Sequence, residues 1–200
     1  MKKKIALLMT AVMLFGATVG ATIAWLQAET APVTNTFTVG DINIELKEHN
    51  YDPSSKMLTS AEVTSEGDYK IIPGTNLPKD PFVRVKAESE ACWVFVKVEA
   101  DKWPTANVTY AIDDSKWTEL GATSYPGIYY YKQDSLVDAT DDVIRYILKD
   151  NQVVVSGDLT KSEIEDIKAA GTPTLKFTAY AVQAENFATA QAAWDATFGL

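Results

Sequence analysis

The most informative segment of this 200-residue chain for its fold is Cys92-Trp93-Val94-Phe95-Val96-Lys97-Val98-Glu99. Side chains alternate between the two faces of an extended strand, so its even-numbered residues, all apolar, share one face. Trp93 and Phe95 begin the opposite face with two large aromatic side chains. A strand that is apolar on both faces must be covered on both sides, which predicts a central strand within the hydrophobic core.

On either side of this strand, further alternating runs predict a chain made mostly of strands, about eight in number. They are expected at residues 34–47 (one long strand with a bulge at Gly40), 82–87, 108–112, 128–132, 144–149, 152–156 and 174–183. Pro73-Gly74 and Pro126-Gly127 are typical of turns, and Asp150-Asn151 predicts a hairpin between the two strands that flank it. Residues 48–68 are polar and are predicted to form a loop.

Two short helices interrupt the strands. Thr160 and Glu163 have the spacing of a capping box and Gly171 suits a helix C-terminus, which predicts a surface helix over residues 161–170. A second helix is predicted over residues 187–197, with its aromatic side chains against the sheet. Many short strands without strand–helix alternation favour an all-β fold, an antiparallel jelly-roll-like β-sandwich.

Composition and charge limit the function classes. The chain is 46% hydrophobic and 22% charged, which is typical of a folded protein and excludes a disordered or multi-span membrane protein. Its formal net charge is -9. Removal of residues 1–24 takes away three lysines and leaves 15 basic against 27 acidic residues, or -12. Such a charge disfavours nucleic acid and anionic lipid as partners.

The N-terminus has the features of an export signal, predicted over residues 1–24. Lys2, Lys3 and Lys4 precede twenty uncharged residues, and Thr22 and Ala24 place small side chains at the positions that a signal peptidase reads. Cleavage would leave Trp25 as the mature N-terminus and free the protein from the membrane. The alternative is an uncleaved anchor, because about 20 apolar residues can span a bilayer.

The segment that follows, residues 25–36, has no evident place in the sandwich predicted for residues 37–200. From Trp25 to Val33 it carries one charge, Glu29, contains Pro32 and does not alternate cleanly between apolar and polar residues. It is therefore predicted to be extended and weakly held by its own domain, either as a strand given to a partner or as a frayed terminus.

Sequence motifs for catalysis or metal binding are not apparent. A catalytic zinc site usually needs two histidines one helical turn apart, and a nucleophilic triad also needs a histidine. His49 is the sole histidine and lies in a polar run, so it is expected to be solvated rather than a ligand. The sole cysteine, Cys92, allows no intrachain disulfide and is expected to be buried. No cofactor and no metal are predicted.

Two weaker constellations have ordinary alternatives. Asp138, Asp141 and Asp142 could gather a calcium ion, but their spacing is not that of an EF-hand loop and a solvated acidic loop is the alternative. A tyrosine-rich stretch could form a sticky carbohydrate or protein surface, but a strand with aromatic residues on both faces is more often core plus one cross-strand pair. Its members are Tyr125, Tyr129, Tyr130 and Tyr131.

Several segments, in order along the whole chain, resemble the TasA/camelysin family of exported Gram-positive proteins. They are Gly20-Ala21-Thr22-Ile23-Ala24-Trp25, Thr34-Asn35-Thr36-Phe37-Thr38-Val39-Gly40, the loop from Pro73-Gly74 to Lys79-Asp80-Pro81, Val94-Phe95-Val96-Lys97-Val98, Phe177-Thr178-Ala179-Tyr180-Ala181-Val182-Gln183 and Ala192-Ala193-Trp194. The resemblance implies a jelly-roll protein, exported through a SipW-type signal peptidase and assembled into extracellular biofilm-matrix fibres. The untidy alternation before Pro32 and the C-terminal helix depart from the family pattern.

The resemblance also implies a mechanism of assembly and a set of partners. In fibre-forming members the mature N-terminal segment pairs as a strand with the next subunit, a role that in this chain would fall on Trp25, Leu26, Ala28 and Val33. The expected partners are copies of itself, other matrix proteins and the signal peptidase, in the extracellular matrix or at the cell surface. Two alternatives stay open: a monomeric secreted or surface-held binding module, and a camelysin-type metallopeptidase, against which the single histidine argues.

Overall fold

The computed structural model describes residues 40–64, 69–104 and 106–199. The predicted signal peptide, its cleavage site at Thr22, Ala24 and Trp25, and the extended segment at residues 25–36 lie outside these ranges. Within them, no helix has the length and apolar character needed to cross a membrane.

The described part of the chain consists mainly of strands. The strands are β1 (Ile44–Asp52), β2 (Met57–Val63), β3 (Asn76–Pro78), β4 (Phe82–Val85), β5 (Cys92–Asp101), β6 (Val108–Thr109), β7 (Thr118–Glu119), β8 (Ile128–Gln133), β9 (Val143–Tyr146), β10 (Gln152–Val155) and β11 (Thr174–Gln183). The helices are α1 (Lys161–Ala170) and α2 (Ala190–Thr197), with a short 3-10 turn at Lys149–Asn151. Three sheets result: sheet I in the order β2-β1-β4-β9, sheet II in the order β11-β5-β8-β7, and sheet III in the order β3-β10-β6.

All strand pairs are antiparallel, and sheets I and II face each other across the main core. Val83 and Val85 of sheet I pack there against Val94 and Val96 of sheet II, and all four side chains are fully buried. The predicted fold class, an all-β antiparallel sandwich with two short helices, is confirmed. Sheet III, with α1 beside it, encloses a second cluster that the sequence pattern did not predict.

The central position predicted for β5 is confirmed. β5 pairs with β11 on one side and β8 on the other, and its even-numbered residues lie in the core between sheets I and II. Trp93 and Phe95 point to the opposite face, where Trp194 of α2 and the following Phe198 cover them. The predicted packing of the C-terminal aromatic residues on the sheet is therefore also confirmed.

The loop predicted for residues 48–68 is wrong over most of its length, because the second half of β1 and all of β2 lie there. The two strands form a hairpin whose outward polar side chains made the sequence look like a loop. Asp52 shapes the turn, since its Oδ1 accepts a hydrogen bond from the N–H of Ser54 at 2.9 Å. The irregularity in register lies between His49 and Tyr51, whereas residues 40–43, around the predicted bulge at Gly40, are not in a strand.

The predicted hairpin around Asp150-Asn151 is also wrong, although its turn residues behave as expected. Both have positive φ, 54° and 51°, which these residue types tolerate. The flanking strands nevertheless belong to different sheets, β9 to sheet I and β10 to sheet III. The N–H of the fully buried Ile147 donates to the carbonyl oxygen of Pro81 at 2.8 Å, which continues the pairing of β9 with β4, whereas β10 pairs with β3 and β6.

Local backbone signals were more reliable. Gly74 and Gly127 have φ values of 72° and 74°, as the predicted Pro-Gly turns require, and a Cβ at Gly127 would lie only 2.5 Å from the carbonyl oxygen of Val98. The capping box of α1 is present as predicted. The second helix begins at Ala190, three residues later than predicted, because Thr189 caps it.

Candidate functional site

The outer edge of β11 is the most distinctive surface feature of sheet II. β11 is ten residues long and pairs with β5 in continuous register from Thr174 to Gln183. Within the ranges that the structure describes, no strand pairs with its other side. Such an edge presents a row of N–H and C=O groups to an incoming strand.

Two hydrogen bonds show which backbone groups face this open edge. The N–H of Val98 donates to the carbonyl oxygen of Gly127 at 2.8 Å. The backbone N–H and C=O groups of the even-numbered residues of β5 therefore point toward β8, and those of the odd-numbered residues point toward β11. The N–H of Ala184 donates to Ala91 at 2.9 Å, which gives the same pattern directly beyond the end of β11. Even-numbered residues of β11 therefore bond to β5, and the backbone groups of its odd-numbered residues point outward.

The same odd-numbered residues of β11 direct their side chains into the sandwich. Leu175, Phe177, Ala179 and Ala181 are partly buried against the main core. The even-numbered Tyr180 instead packs on the other face of sheet II, beside Trp194. A strand added at this edge would thus continue sheet II and extend the hydrophobic core at the same time.

A cavity of about 690 Å³ lies between β1 and the first half of β11; we call it the β11 groove. Its lining comes from all three sheets and from the segment before β11. The lining residues are Leu46, Lys47, Glu48, Val63, Thr64, Tyr69, Ile71, Leu77, Lys79, Pro81, Trp103, Val108, Val153, Thr172, Pro173, Thr174, Leu175, Lys176 and Phe177. Most of these side chains are apolar or aromatic, so the groove suits apolar side chains.

A largely buried ion pair forms part of the groove wall. Lys79 Nζ lies 2.6 Å from Glu48 Oε2, and the two side chains are only 13% and 11% exposed. The ammonium group also lies 5.1 Å from the ring centroid of Tyr69 and 5.9 Å from that of Phe177, within cation–π range. Burial raises the pKa of the Tyr69 hydroxyl well above its usual range. This hydroxyl therefore stays protonated and neutral.

A second, shorter stretch of open edge borders the same groove. β1 pairs with β4 from Ile44 to Lys47, but its pairing with β2 begins only at Glu48. Within the described ranges, the side of Ile44 to Lys47 that faces away from β4 therefore has no strand partner. With four residues against ten, it offers less backbone than β11.

The candidate catalytic and metal-binding residues are dispersed. His49 is not simply solvated: its Nδ1 lies 2.6 Å from Asp80 Oδ2, and its backbone N–H donates to Asp80 Oδ1 at 3.0 Å. Among the described residues, no group of three or more His, Cys, Asp or Glu side chains is placed to hold a metal ion. Asp138 accepts a hydrogen bond from the N–H of Thr140, whereas Asp142 accepts one from Lys86. The carboxylates of the three candidate aspartates are therefore not gathered around one point.

The tyrosines of the tyrosine-rich stretch pack in the hydrophobic core or bond to the C-terminal helix. Tyr131 is 7% exposed and packs edge-on against Trp117 in the main core. Tyr130 packs against Trp93, and the Tyr125 hydroxyl donates to Asp195 of α2 at 2.7 Å. The stretch therefore follows the core alternative, and a continuous aromatic surface is not formed.

Cys92 is fully buried in the main core, as predicted. Burial alone raises the pKa of its thiol to about 11. The thiolate, which is the reactive form, is therefore scarce at neutral pH, and this cysteine is a packing residue rather than a nucleophile.

The β11 groove was missed by sequence reasoning. Its walls join Glu48, Tyr69, Lys79 and Phe177, which are far apart in the chain and carry no shared motif. The one available signal was the length of the run at residues 174–183, which exceeds that of most predicted strands. Length alone does not distinguish an edge strand from a central one.

These features define the class of protein as an antiparallel β-sandwich with one long open edge beside an apolar groove. No protein-family model, curated protein or solved structure matches the chain.

Proposed function

We propose that this chain is an exported structural protein of TasA/camelysin type, a subunit of extracellular biofilm-matrix fibres. In this proposal residues 25–36 of one copy pair as a strand with the outer edge of β11 in the next copy. The observation that carries the proposal is the ten-residue open edge beside the apolar β11 groove. Natural proteins usually block long open edges, so an unblocked one is typical of a surface that receives a partner strand.

The incoming segment supplies what this edge lacks. Its backbone provides hydrogen bonds to the odd-numbered residues of β11, each contributing about 0.5–1.5 kcal/mol net. Its apolar side chains are Trp25, Leu26, Ala28 and Val33, and those on its inward face become available for burial. Full burial of a side chain such as leucine or valine contributes about 1.5–3 kcal/mol. Together these terms reach the range needed for a specific contact between subunits.

Export fits the same proposal. The predicted signal peptide tethers the donor segment to the membrane until cleavage between Ala24 and Trp25, which keeps it from pairing inside the cell. The mature chain then acts at the cell surface or in the extracellular matrix, with copies of itself and other matrix proteins as partners. We propose no enzymatic activity, cofactor or metal for it, and its contact with the membrane ends at cleavage.

The decisive experiment compares the mature chain, residues 25–200, with a truncation that starts at residue 34. Sedimentation and negative-stain microscopy should show fibres for the mature chain and a monomer for the truncation, with the same β-rich circular dichroism spectrum. A synthetic peptide of residues 25–36 should bind the truncated monomer, and a scrambled peptide of the same composition serves as the control. Equal polymerisation of both proteins would disprove strand exchange.

A second candidate function rests on the groove itself. A volume of about 690 Å³ lies within the range of small-ligand sites, about 300–1,000 Å³. A monomeric secreted binding module would use this cavity for an apolar ligand rather than for a strand. In that case the mature chain stays a monomer in sedimentation, and the peptide of residues 25–36 does not bind the truncated protein.

A further inference from the structure

We infer that the β11 groove binds a small neutral molecule with an apolar, aromatic body and one hydrogen-bond-accepting oxygen, and that the ammonium group of Lys79 donates to this oxygen. The inference goes beyond fibre assembly and gives the ligand of the second candidate function a chemical class and an anchoring residue. It rests only on residues that the structure describes, so it does not depend on the segment before Gly40.

The walls of the groove select the body of the ligand. Leu77, Val108 and Val153 are at most 8% exposed and belong to the packed cluster of sheet III, so this wall is formed before any ligand arrives. Trp103 donates its Nε1–H to the carbonyl oxygen of Val108 at 2.9 Å and therefore offers a ligand only its ring. Phe177 adds a second ring. An apolar aromatic body fits these walls, whereas a sugar would lose water from hydroxyl groups that find no partner.

The charged groups that can meet such a ligand reduce to one pair. The charged residues of the lining are Lys47, Glu48, Lys79 and Lys176. Lys47 alternates with the inward residues of β1, and its ammonium lies 3.0 Å from Glu45 on the outer face of sheet I. Lys176 is an even-numbered residue of β11, and the side chains of that set lie on the far face of sheet II. Lys79 and Glu48 remain as the charged side chains inside the groove.

Lys79 has more hydrogen bonds to donate than its surroundings accept. An ammonium group carries three N–H donors. Glu48 accepts one at 2.6 Å and is, among the described residues, the one acceptor bonded to this group. The rings of Tyr69 and Phe177 attract the charge, but a ring face replaces a hydrogen-bond acceptor only weakly. Since the Lys79 side chain is only 13% exposed, an oxygen atom of a ligand in the groove would satisfy a donor that water reaches poorly.

The balance of charge in the pair selects a neutral ligand. Lys79 and Glu48 neutralise each other, so the interior of the groove has no net charge although the whole chain carries -9. An anion would approach the carboxylate of Glu48, and a cation would have to displace Lys79 from it. Either ion would also lose its hydration in an apolar cavity. The carbonyl oxygen of a ketone or an ester accepts the hydrogen bond without these costs.

Four ligands built on one skeleton test this class. Butyrophenone has a ketone oxygen, butylbenzene lacks it, and phenylbutyrate and phenylbutylammonium are the anionic and cationic members. Butyrophenone should bind the mature chain about tenfold more tightly than butylbenzene, because it gains a hydrogen bond from a charged donor. Both ions should bind at least about tenfold more weakly than butyrophenone. Calorimetry gives the affinities, and a change in tryptophan emission that is lost in Trp103→Phe places the ligand in the groove.

Paired substitutions test the anchoring role of Lys79. In the double variant Glu48→Leu with Lys79→Met, apolar side chains of similar size replace the ion pair. Butyrophenone and butylbenzene should then bind with affinities that agree within about twofold. Lys176→Met is the matched control and should keep the tenfold preference, because its side chain lies on the far face of sheet II. Circular dichroism checks the fold of each variant, and the ligand series on the unmodified chain decides the ligand class without any variant.

The outcomes are distinct from those of the proposed function. Equal binding of butyrophenone and butylbenzene, tighter binding of either ion, or no binding of any member overturns the ligand class. A preference that persists in the double variant overturns the role of Lys79. The series is measured on the mature chain and on the truncation starting at residue 34. Ketone preference in the truncation alone supports the inference and shows that assembly covers the groove. Equal polymerisation of the two chains defeats strand exchange and leaves this inference to the measured affinities.

Discussion

β9 and β11 form edges of the two facing sheets, and they are built differently. β9 has four residues, and its Arg145 lies directly opposite Val83, so it points toward the core. Its guanidinium carbon lies 4.2 Å from the ring centroid of Tyr131. β11 has ten residues and no charged side chain on its inward face. A short strand with an inward charge resists strand addition, whereas β11 has neither protection.

The other outermost strands of sheets I and II, β2 and β7, are also protected against strand addition. β7 is only two residues long. β2 has an irregular register with β1 and carries Glu62, which is tied to Arg84 across the sheet. Among the four outermost strands of sheets I and II in the described residues, three are protected and β11 is regular, with an uncharged inward face. An open, regular edge of this kind is what the proposed strand-accepting function requires.

The largest expected effect comes from proline substitutions at adjacent positions of β11. Thr178→Pro removes the hydrogen bond to Lys97 and should cost about 3 kcal/mol of unfolding free energy. Ala179→Pro removes only an outward N–H and should cost about 1 kcal/mol while abolishing assembly. Urea unfolding combined with sedimentation checks both effects. Equal destabilisation by the two variants would show that the outward pattern assigned to β11 is wrong.

A smaller effect is expected at the wall of the β11 groove. Glu48→Gln leaves the Lys79 ammonium group without its carboxylate in a largely buried site and should destabilise the monomer by about 2 kcal/mol. The double variant with Lys79→Met removes the unpaired charge and should recover most of this loss. Chemical unfolding of the three proteins gives the coupling, and a double variant as unstable as Glu48→Gln would contradict it.

The inward-pointing Arg145 of β9 predicts a change in self-association rather than in stability. Arg145→Leu should alter the unfolding free energy by less than about 1 kcal/mol, since it removes a partly buried charge and adds an apolar side chain. It should also allow the truncation starting at residue 34 to dimerise at high concentration through β9. Lys161→Leu, an equal change of charge on the exposed face of α1, is the control. Identical sedimentation of the two variants would argue against a guarding role.

The smallest effect concerns acid. A side-chain hydrogen bond from Arg84 lowers the pKa of Glu62 from 4.5 to about 2. Because the folded-state pKa is the lower one, the stabilisation is present above pH 4.5 and is lost as the pH falls toward 2. The urea midpoint should therefore decline over this range, and less steeply in Arg84→Gln. The effect is small because Glu62 is exposed to solvent.

The sequence predicted those parts of the fold that depend on neighbouring residues. The two faces of β5 and the capping box at Thr160 and Glu163 follow from local periodicity and local hydrogen bonds, and both are confirmed. The hairpin of β1 and β2 was missed because its strands are polar on exposed faces. The separation of β9 from β10 depends on partners that are distant in sequence, since β9 pairs with β4 whereas β10 pairs with β3 and β6.

The candidate site divides along the same line. The donor residues, Trp25, Leu26, Ala28 and Val33, were assigned from the resemblance to the TasA/camelysin family and from their position after the predicted cleavage site, and their role stays a prediction. The β11 groove could not be predicted, because whether a strand lies at an edge is decided by which segments fail to pair with it. That is a property of the assembled sheet rather than of any short run of residues.

The single thiol of this protein can report local opening of the sandwich. Cys92 lies in the sealed core, directly across the ladder from Gln183 at the last position of β11. A thiol-reactive dye can reach it only when the sandwich opens locally, so the labelling rate in the unmodified protein measures how often that end of the ladder separates. A strand from a neighbouring copy paired along β11 would lower the rate at which the dye labels Cys92. Under the proposed function, the labelling rate would therefore follow fibre growth without any introduced probe.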